Sequence, residues 1–241
     1  FLMSESSLGK CMEMNLINSE CPCVPELYDY LSVGDIRYIN FKVEDFMNDL
    51  KRRRVLPRYV YDVIDSYPLQ SHPMALFSST IITMQHESFF NKKYHAGIGK
   101  NEYWDPTYED SLNLFAKLPE IAAYIYAKLY RGGKYNASRE DLDMGANFAH
   151  MMGIDKPYDE VSRQYFILHS DHESGNVSAH TGHLVASSLS DIYLSVSAMA
   201  NGLAGPLHGL ASQEVLMWLH ELIDKMGGKE PREEEVRQFV W

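Results

Sequence analysis

Apolar side chains recur along most of the chain at spacings of three and four residues, which is the period of an amphipathic α-helix. The longest such pattern comprises Leu112, Phe115, Leu118, Ala122, Ile125 and Leu129. It predicts a long helix with one apolar face. A kink is expected at Pro119, which cannot donate a backbone hydrogen bond.

Shorter stretches with the same period predict further helices. They lie at about residues 76–84, 161–168, 177–188 and 192–203, and from Pro206 to the glycine pair at 227–228. The stretch 177–188 is rich in Ser, Ala, Thr and Gly, so we expect it to be a central helix that its neighbours approach closely. Strand-like patterns are scarce, although residues 59–61 and 81–83 include β-forming types. We therefore predict an all-α, multi-helical fold.

Both ends of the sequence suggest a piece of a longer chain. Residue 1 is Phe, and no signal or transit peptide is recognisable after it. Pro231 and the acidic residues that follow predict a helix start, because acidic side chains stabilise the positive end of the helix dipole. That helix reaches Trp241 on its apolar face without a cap. We expect a fragment.

Composition excludes several classes of protein. Hydrophobic residues make up 45% of the 241, enough to bury a core, and no apolar run approaches the roughly 18 residues that span a membrane. The net charge of −11 argues against nucleic-acid binding, which requires a surplus of basic side chains. The basic run 51–54 is more typical of a solvated helix end than of a phosphate-binding tract. Cys11, Cys21 and Cys23 are interpreted as free thiols.

Histidines cluster between residues 169 and 183. His169 and His172 are three residues apart, as are His180 and His183, and that spacing can place two metal ligands on one helix face. Residues 174–176 are expected to break the helix between the two pairs, and no carboxylate motif accompanies them, so we predict no metal site. In the alternative interpretation His180 and His183 are hydrogen-bonded core residues, which we expect of at least one of them.

His208 is the clearest candidate for chemistry at a carbonyl group. Gly205 and Pro206 predict a turn, and a helix is expected to follow, so His208 lies in or beside its first turn. The positive end of that helix disfavours an imidazolium ion, and Gly205 and Gly209 permit the close approach of a ligand. A neutral imidazole can donate a hydrogen bond to a carbonyl oxygen and stabilise the charge of an enolate.

Two long segments carry a family resemblance. HSDHESGNVSAHT at 169–181 and NGLAGPLHGLA at 201–211 resemble the two signature segments of citrate synthase, the first in its eukaryotic mitochondrial form. Shorter matches in the same order occur at 103–104, 108–112, 116–119, 189–191 and 213–215, and weaker similarity extends back to about residue 25. The resemblance therefore covers most of the chain.

The resemblance implies a mainly α-helical homodimer of the mitochondrial matrix that condenses acetyl-CoA with oxaloacetate to give citrate and CoA, without a permanently bound cofactor. Carried over residue by residue, it implies that His208 binds the acetyl thioester carbonyl as the enol forms. His172 is expected to contact oxaloacetate, and Asn176 to help shape the same pocket. Lys100 falls where the family often has a basic residue near the CoA phosphates. We expect a divergent helical segment at 1–57 and the large-domain core at 58–241, reaching the start of the small domain.

The sequence also departs from the family pattern. Ser174 and Ser212 replace residues that are usually Gly and Asn in the family. The aspartate that removes the methyl proton and the arginines that hold the oxaloacetate carboxylates have no counterparts in this chain, so we do not expect this chain alone to be active. Two hypotheses follow: an internal portion of a working citrate synthase, or a non-catalytic relative that associates with itself or with a partner.

Overall fold

The structure, a computed structural model, describes residues 43–154, 156–170, 175–228 and 232–240. Within these residues the regular structure is helical and there is no β-strand. The helices are α1 (Val43–Arg53), α2 (Arg58–Ser66), α3 (Pro73–Thr83), α4 (Phe89–His95), α5 (Trp104–Tyr130), α6 (Met144–Met152), α7 (Tyr158–Ser170), α8 (Val177–Ala186), α9 (Ile192–Leu203), α10 (Ala211–Lys225) and α11 (Glu233–Val240). Short 3-10 turns occur at Met84–Glu87 and Lys100–Glu102. The all-α prediction is confirmed.

Helix α5 is the centre of the fold. It contacts α1, α2, α3, α4, α6 and α9, and it continues through Pro119 rather than ending there. Its Leu114, Ile121 and Ile125 lie in the main hydrophobic core, which also includes residues of α2, α3 and α9. Each fully buried side chain of this size stabilises the fold by about 1.5–3 kcal/mol.

Helix α8, predicted to be central, lies instead at the edge of the described part of the molecule. Its buried residues are Ala179 and Gly182, whereas Leu184 is 64% exposed. The small residues serve one close contact with α9. A Cβ atom on Gly182 would lie 2.2 Å from Met199 Cγ, and one on Gly202 would lie 3.2 Å from Ser178 Cα.

The β-forming residues at 59–61 and 81–83 belong to helices α2 and α3. Helix α3 has a strong start, because Pro73 is its first residue and His72 Nδ1 accepts a hydrogen bond from the backbone N–H of Met74 at 3.2 Å. Tertiary burial then outweighs the β preference, since Val60 and Ile81 are fully buried in the main core.

The helix predicted to begin after Pro206 begins at Ala211, because residues 205–210 form a tight turn of their own. The backbone N–H of His208 donates to Gly205 O, and that of Gly209 donates to Leu203 O, both at 3.0 Å. Helix α10 then exposes several large apolar side chains: Val215, Leu216, Met217, Trp218 and Leu219. None of the helices in the described ranges is long and apolar enough to cross a membrane.

Candidate active site

Asn176 begins helix α8 as its N-cap. Its backbone is extended (φ −90°, ψ 164°), and its Oδ1 accepts a hydrogen bond from the backbone N–H of Ala179 at 2.9 Å. Asn is among the best residues for this position, because its side chain satisfies a backbone donor that the helix leaves unpaired. The sequence thus fixes the Asn176 side chain at the amino end of α8.

Ser178 connects this helix start to His208. Its Oγ lies 2.8 Å from Asn176 Oδ1 and 2.8 Å from Nε2 of His208, which is half-buried. A continuous hydrogen-bonded chain therefore runs from Asn176 through Ser178 to His208. Sequence reasoning missed Ser178, although its place inside the first signature segment, two residues after Asn176, was a usable signal.

Two glycines allow this arrangement. Gly202 allows α9 to pack against the first turn of α8, where a Cβ atom on Gly202 would lie 3.2 Å from Ser178 Cα. Gly209 packs its backbone against the end of α9, where an added Cβ would lie 2.4 Å from Leu203 O. Both close contacts hold the turn 205–210 beside the start of α8.

One hydroxyl proton has two possible acceptors in this chain. Asn176 Oδ1 accepts from Ala179 N–H, which identifies it as the amide oxygen rather than the nitrogen. Ser178 can therefore donate its single proton either to Asn176 Oδ1 or to His208 Nε2. In the first case Nε2 carries the imidazole hydrogen, and in the second case a neutral ring carries it on Nδ1.

The other site candidates lie elsewhere. His172 is outside the described residues. Lys100 begins the 3-10 turn before α5, and its side chain is exposed; no hydrogen bond between described residues links it to Asn176, Ser178 or His208. The structure thus connects Asn176 to His208 through Ser178 and shows no such connection to Lys100 among the described residues.

The remaining histidines of the cluster do not form a metal site in the part that is described. The described side chains include no group of three or more His, Cys, Asp or Glu that could hold a metal ion. His180 is exposed and His183 is half-buried, so neither lies in the buried core, where at least one of them was expected. The side chains of residues 169–173, which include His169 and His172, lie outside the described part of the structure.

A separate polar cluster stabilises the core. Glu87 accepts a hydrogen bond from Tyr59 and an ion-paired one from Lys117 Nζ at 2.9 Å, and the Lys117 side chain is only 10% exposed. Burial opposes the ionisation of Glu87, but the hydrogen bonds from Tyr59 and Lys117 outweigh it and lower the pKa of this carboxyl group. None of these hydrogen bonds reaches His208, so the cluster supports the fold.

Asp110 shows the opposite balance. Burial raises the pKa of its carboxyl group, although the backbone N–H groups of Phe89 and Phe90 and the Ser88 hydroxyl all donate to it. These bonds join α5 to the amino end of α4. Asp110 is therefore a structural anchor between two helices.

Comparisons with known proteins agree with the two signature segments. The family model described as "Citrate synthase, C-terminal domain" matches residues 31–241. "Citrate synthase 4, mitochondrial" of Arabidopsis thaliana is 50% identical over 201 residues, which are 83% of this chain and 42% of the relative. "Citrate synthase, mitochondrial" of Xiphias gladius is 50% identical over 239 residues, which are 98% of this chain and 50% of the relative.

Solved structures agree as well. The citrate synthase of Pyrobaculum aerophilum superposes with a TM-score of 0.68 at 29% identity, over 91% of this chain and 52% of that one. The chain spans about half the length of the curated relatives it matches. The family model matches most of the chain, the mitochondrial relatives are about half identical to it, and the solved citrate synthase shares its fold. The chain therefore belongs to the citrate synthase family.

Proposed function

We propose that this protein acts as a citrate synthase, which condenses acetyl-CoA with oxaloacetate to citrate and free CoA. The observation that carries the proposal is the hydrogen-bonded chain from Asn176 through Ser178 to His208, because it joins the two segments that resemble the family's signatures. No permanently bound cofactor is required. Substrates and products are then the only small molecules of the reaction.

His208 is proposed to bind the thioester carbonyl of acetyl-CoA. When a base removes a proton from the acetyl methyl group, negative charge develops on that oxygen, and a hydrogen bond from the imidazole stabilises it. The base is not part of this network, since no described Asp or Glu hydrogen-bonds to Ser178 or His208. The enol carbon then attacks the oxaloacetate ketone, and hydrolysis of the resulting thioester releases CoA.

Ser178 is proposed to set which nitrogen of His208 carries the hydrogen. If the Ser178 proton points to Nε2, a neutral ring carries its hydrogen on Nδ1 and can donate it to the carbonyl oxygen. If the proton points to Asn176 instead, Nδ1 is bare and cannot donate. Catalysis by a neutral His208 thus requires the Ser178 proton to point to Nε2. Asn176 Oδ1 competes with Nε2 for that proton.

The other parts of the proposal rest on the family resemblance. His172 contacts oxaloacetate beside Asn176, and Lys100 lies near the CoA phosphates. A homodimer would cover the apolar side chains that α10 exposes. The mitochondrial names of the relatives support the mitochondrial matrix as its location. The proposed domain division is a segment 1–57, of which residues 1–42 lie outside the described part of the chain, and a large-domain core at 58–241 that extends into the start of the small domain.

The test is an assay of CoA release by the full-length protein that the gene encodes, with acetyl-CoA and oxaloacetate as substrates. We expect turnover, and we expect His208→Ala to lower kcat by about a hundredfold or more, because an oxyanion-type hydrogen bond acts mainly in the transition state. His180→Ala is the matched control, since this exposed histidine lies in the same segment. Absence of citrate formation by the full-length protein would refute the proposal in favour of a non-catalytic relative.

A further inference from the structure

A cavity of about 60 Å³ lies between α1, α5, α6 and the segment 138–143, away from the residues proposed for catalysis. At roughly 10–15 Å³ for each water-sized group, it has room for about four to six of them. Its lining residues come from α1 and Arg54 just after it, from the part of α5 around Pro119, from the segment 138–143 and from one face of α6. It is a separate site from the Asn176, Ser178 and His208 chain.

Most of the cavity wall is apolar. The apolar groups come from Met47, Leu50, Ala116, Pro119, Leu142, Met144 and Met151. Several of these side chains are methionines, which adapt to irregular ligands because they are unbranched and flexible. Such a wall favours an alkyl group over water.

Two cationic side chains line this cavity and have no carboxylate partner among the described residues. Lys51 and Arg54 both line it, both are half-buried, and neither forms an ion pair with any described residue. Lys51 lies in the last turn of α1, and Arg54 follows directly after Arg53, the last residue of that helix. The backbone N–H of Arg54 still donates to Leu50 O at 3.0 Å, so the two side chains, three positions apart, lie on the same side of the chain. The intervening residues of the basic run behave differently: Arg52 pairs with Asp49 at 3.1 Å, and Arg53 pairs with Glu109 at 2.7 Å.

The carboxylates near the cavity already have other partners. Asp143 binds Arg163 at 2.7 Å and also caps α6 through the backbone N–H of Ala146. Glu120 is buried and accepts a hydrogen bond from the Tyr61 hydroxyl at 2.5 Å. Lys51 and Arg54 are the cationic side chains of this lining, and neither is ion-paired with a described residue.

We propose that this cavity binds a small monoanion with a short alkyl tail, such as a six-carbon monocarboxylate. The alkyl tail lies in the cavity and packs against its apolar wall, and the carboxylate at the cavity mouth accepts hydrogen bonds from Lys51 and Arg54. Hydrogen bonds between charged groups are the stronger kind, so the head group supplies specificity while the tail supplies contact area. The proposal concerns binding alone and does not depend on citrate synthase activity.

The test uses the 241-residue chain and sodium hexanoate, with binding measured by ligand-observed NMR titration. We expect hexanoate to bind saturably. The alcohol 1-hexanol has a similar alkyl chain but no charge, and we expect its affinity to be lower by about tenfold or more. The variant Lys51→Met/Arg54→Met keeps the aliphatic stems and removes both charges, so we expect it to lower hexanoate affinity about tenfold or more.

Arg52→Met is the matched control, because it removes a charge from the same basic run at a residue whose side chain is 75% exposed and paired with Asp49. We expect its hexanoate affinity to equal that of the parent chain. Circular dichroism establishes that each variant keeps its helices. The proposal is overturned if the folded chain binds no hexanoate saturably. Equal affinity in the double variant would overturn it too, and Lys51 and Arg54 would then serve only the carboxyl end of α1.

Discussion

Ser178 Oγ lies 2.8 Å from His208 Nε2, although thirty residues separate them in the chain. The contact joins the first turn of α8 to the turn before α10. It exists because α8 and α9 approach each other closely at Gly182 and Gly202. The orientation of the proposed catalytic histidine thus depends on the packing of two neighbouring helices.

Ser178→Ala removes the hydrogen-bond partner of His208 and leaves the ring free to turn. We expect kcat of the full-length protein to fall about tenfold to a hundredfold with little change in KM, because a misplaced catalytic group affects the transition state most. Steady-state kinetics with varied acetyl-CoA provide the measurement. Ser187→Ala, at the exposed carboxyl end of α8, serves as the control and should leave both constants unchanged. An unchanged kcat in Ser178→Ala would show that His208 is held by other contacts.

Asn176→Asp separates the capping role of this residue from its effect on Ser178. Asp and Asn cap helices about equally well, so the free energy of unfolding should change by no more than about 0.5 kcal/mol. A carboxylate accepts the Ser178 proton more strongly than an amide does, which leaves Nδ1 of a neutral His208 without its hydrogen. We therefore expect kcat to fall about tenfold, the equivalent of about 1.4 kcal/mol.

Asn176→Ser is the control for that experiment, since Ser also caps helices but remains neutral. It should keep more of the turnover than the Asp variant. If the Asp variant raised only KM, repulsion of the oxaloacetate carboxylates would explain the result, and the proposed competition for the Ser178 proton would be wrong.

Gly209→Ala tests the turn that presents His208. The added Cβ would lie 2.4 Å from Leu203 O, a backbone atom that cannot move aside cheaply. We expect a loss of about 1–3 kcal/mol in the free energy of unfolding, the usual cost of overpacking, measured by urea denaturation of the 241-residue chain. Gly205→Ala is the matched control in the same turn, because its Cβ would lie 3.9 Å from the nearest atom, Gly202 O. Equal stability of the two variants would count against a tightly packed turn.

Sequence periodicity predicted several of the helices. Residues 192–203, for example, agree with α9 as observed. It did not predict α2, where residues 59–61 include β-forming types, or α6, a nine-residue helix (Met144–Met152) whose Ala146 and Met151 are buried between α5 and α7. Both helices are short, and burial in the tertiary structure stabilises them. The two signature segments identified Asn176 and His208 as site candidates. The contact through Ser178 arises from tertiary packing, which local sequence patterns do not encode.

Glu87→Gln tests the buried ion pair with Lys117. Because the pKa of Glu87 is lowered in the folded chain, its contribution to stability is fully present above its unfolded pKa of about 4.3 and is lost as pH falls through the folded pKa. The variant leaves Lys117, whose side chain is 10% exposed, without its counter-charge, so we expect a loss of about 1–3 kcal/mol near pH 7. Urea unfolding at pH 7 and at pH 3.5 should show a smaller difference between parent and variant at the lower pH.

Asp62→Asn is the control for this pair. Its partner Arg58 is 82% exposed, and surface pairs of this kind contribute about 0–1 kcal/mol. The control should therefore differ little from the parent at either pH. A loss for Glu87→Gln as small as that of the control would mean that Lys117 finds water or another acceptor.

Leu189 offers a position where the chain can be stabilised. It follows the carboxyl end of α8 with φ +64°, in the left-handed region, where a side chain such as leucine costs about 1–2 kcal/mol. Asn tolerates this conformation better, and Leu189 is already 50% exposed, so little apolar contact is lost. We expect Leu189→Asn to raise the free energy of unfolding by up to about 1 kcal/mol, measured by urea denaturation. Leu184→Asn, at an exposed position within α8, should instead be neutral or destabilising, because Asn is the weaker helix former. A loss of stability in the Leu189 variant would show that the leucine side chain makes contacts worth more than the backbone strain.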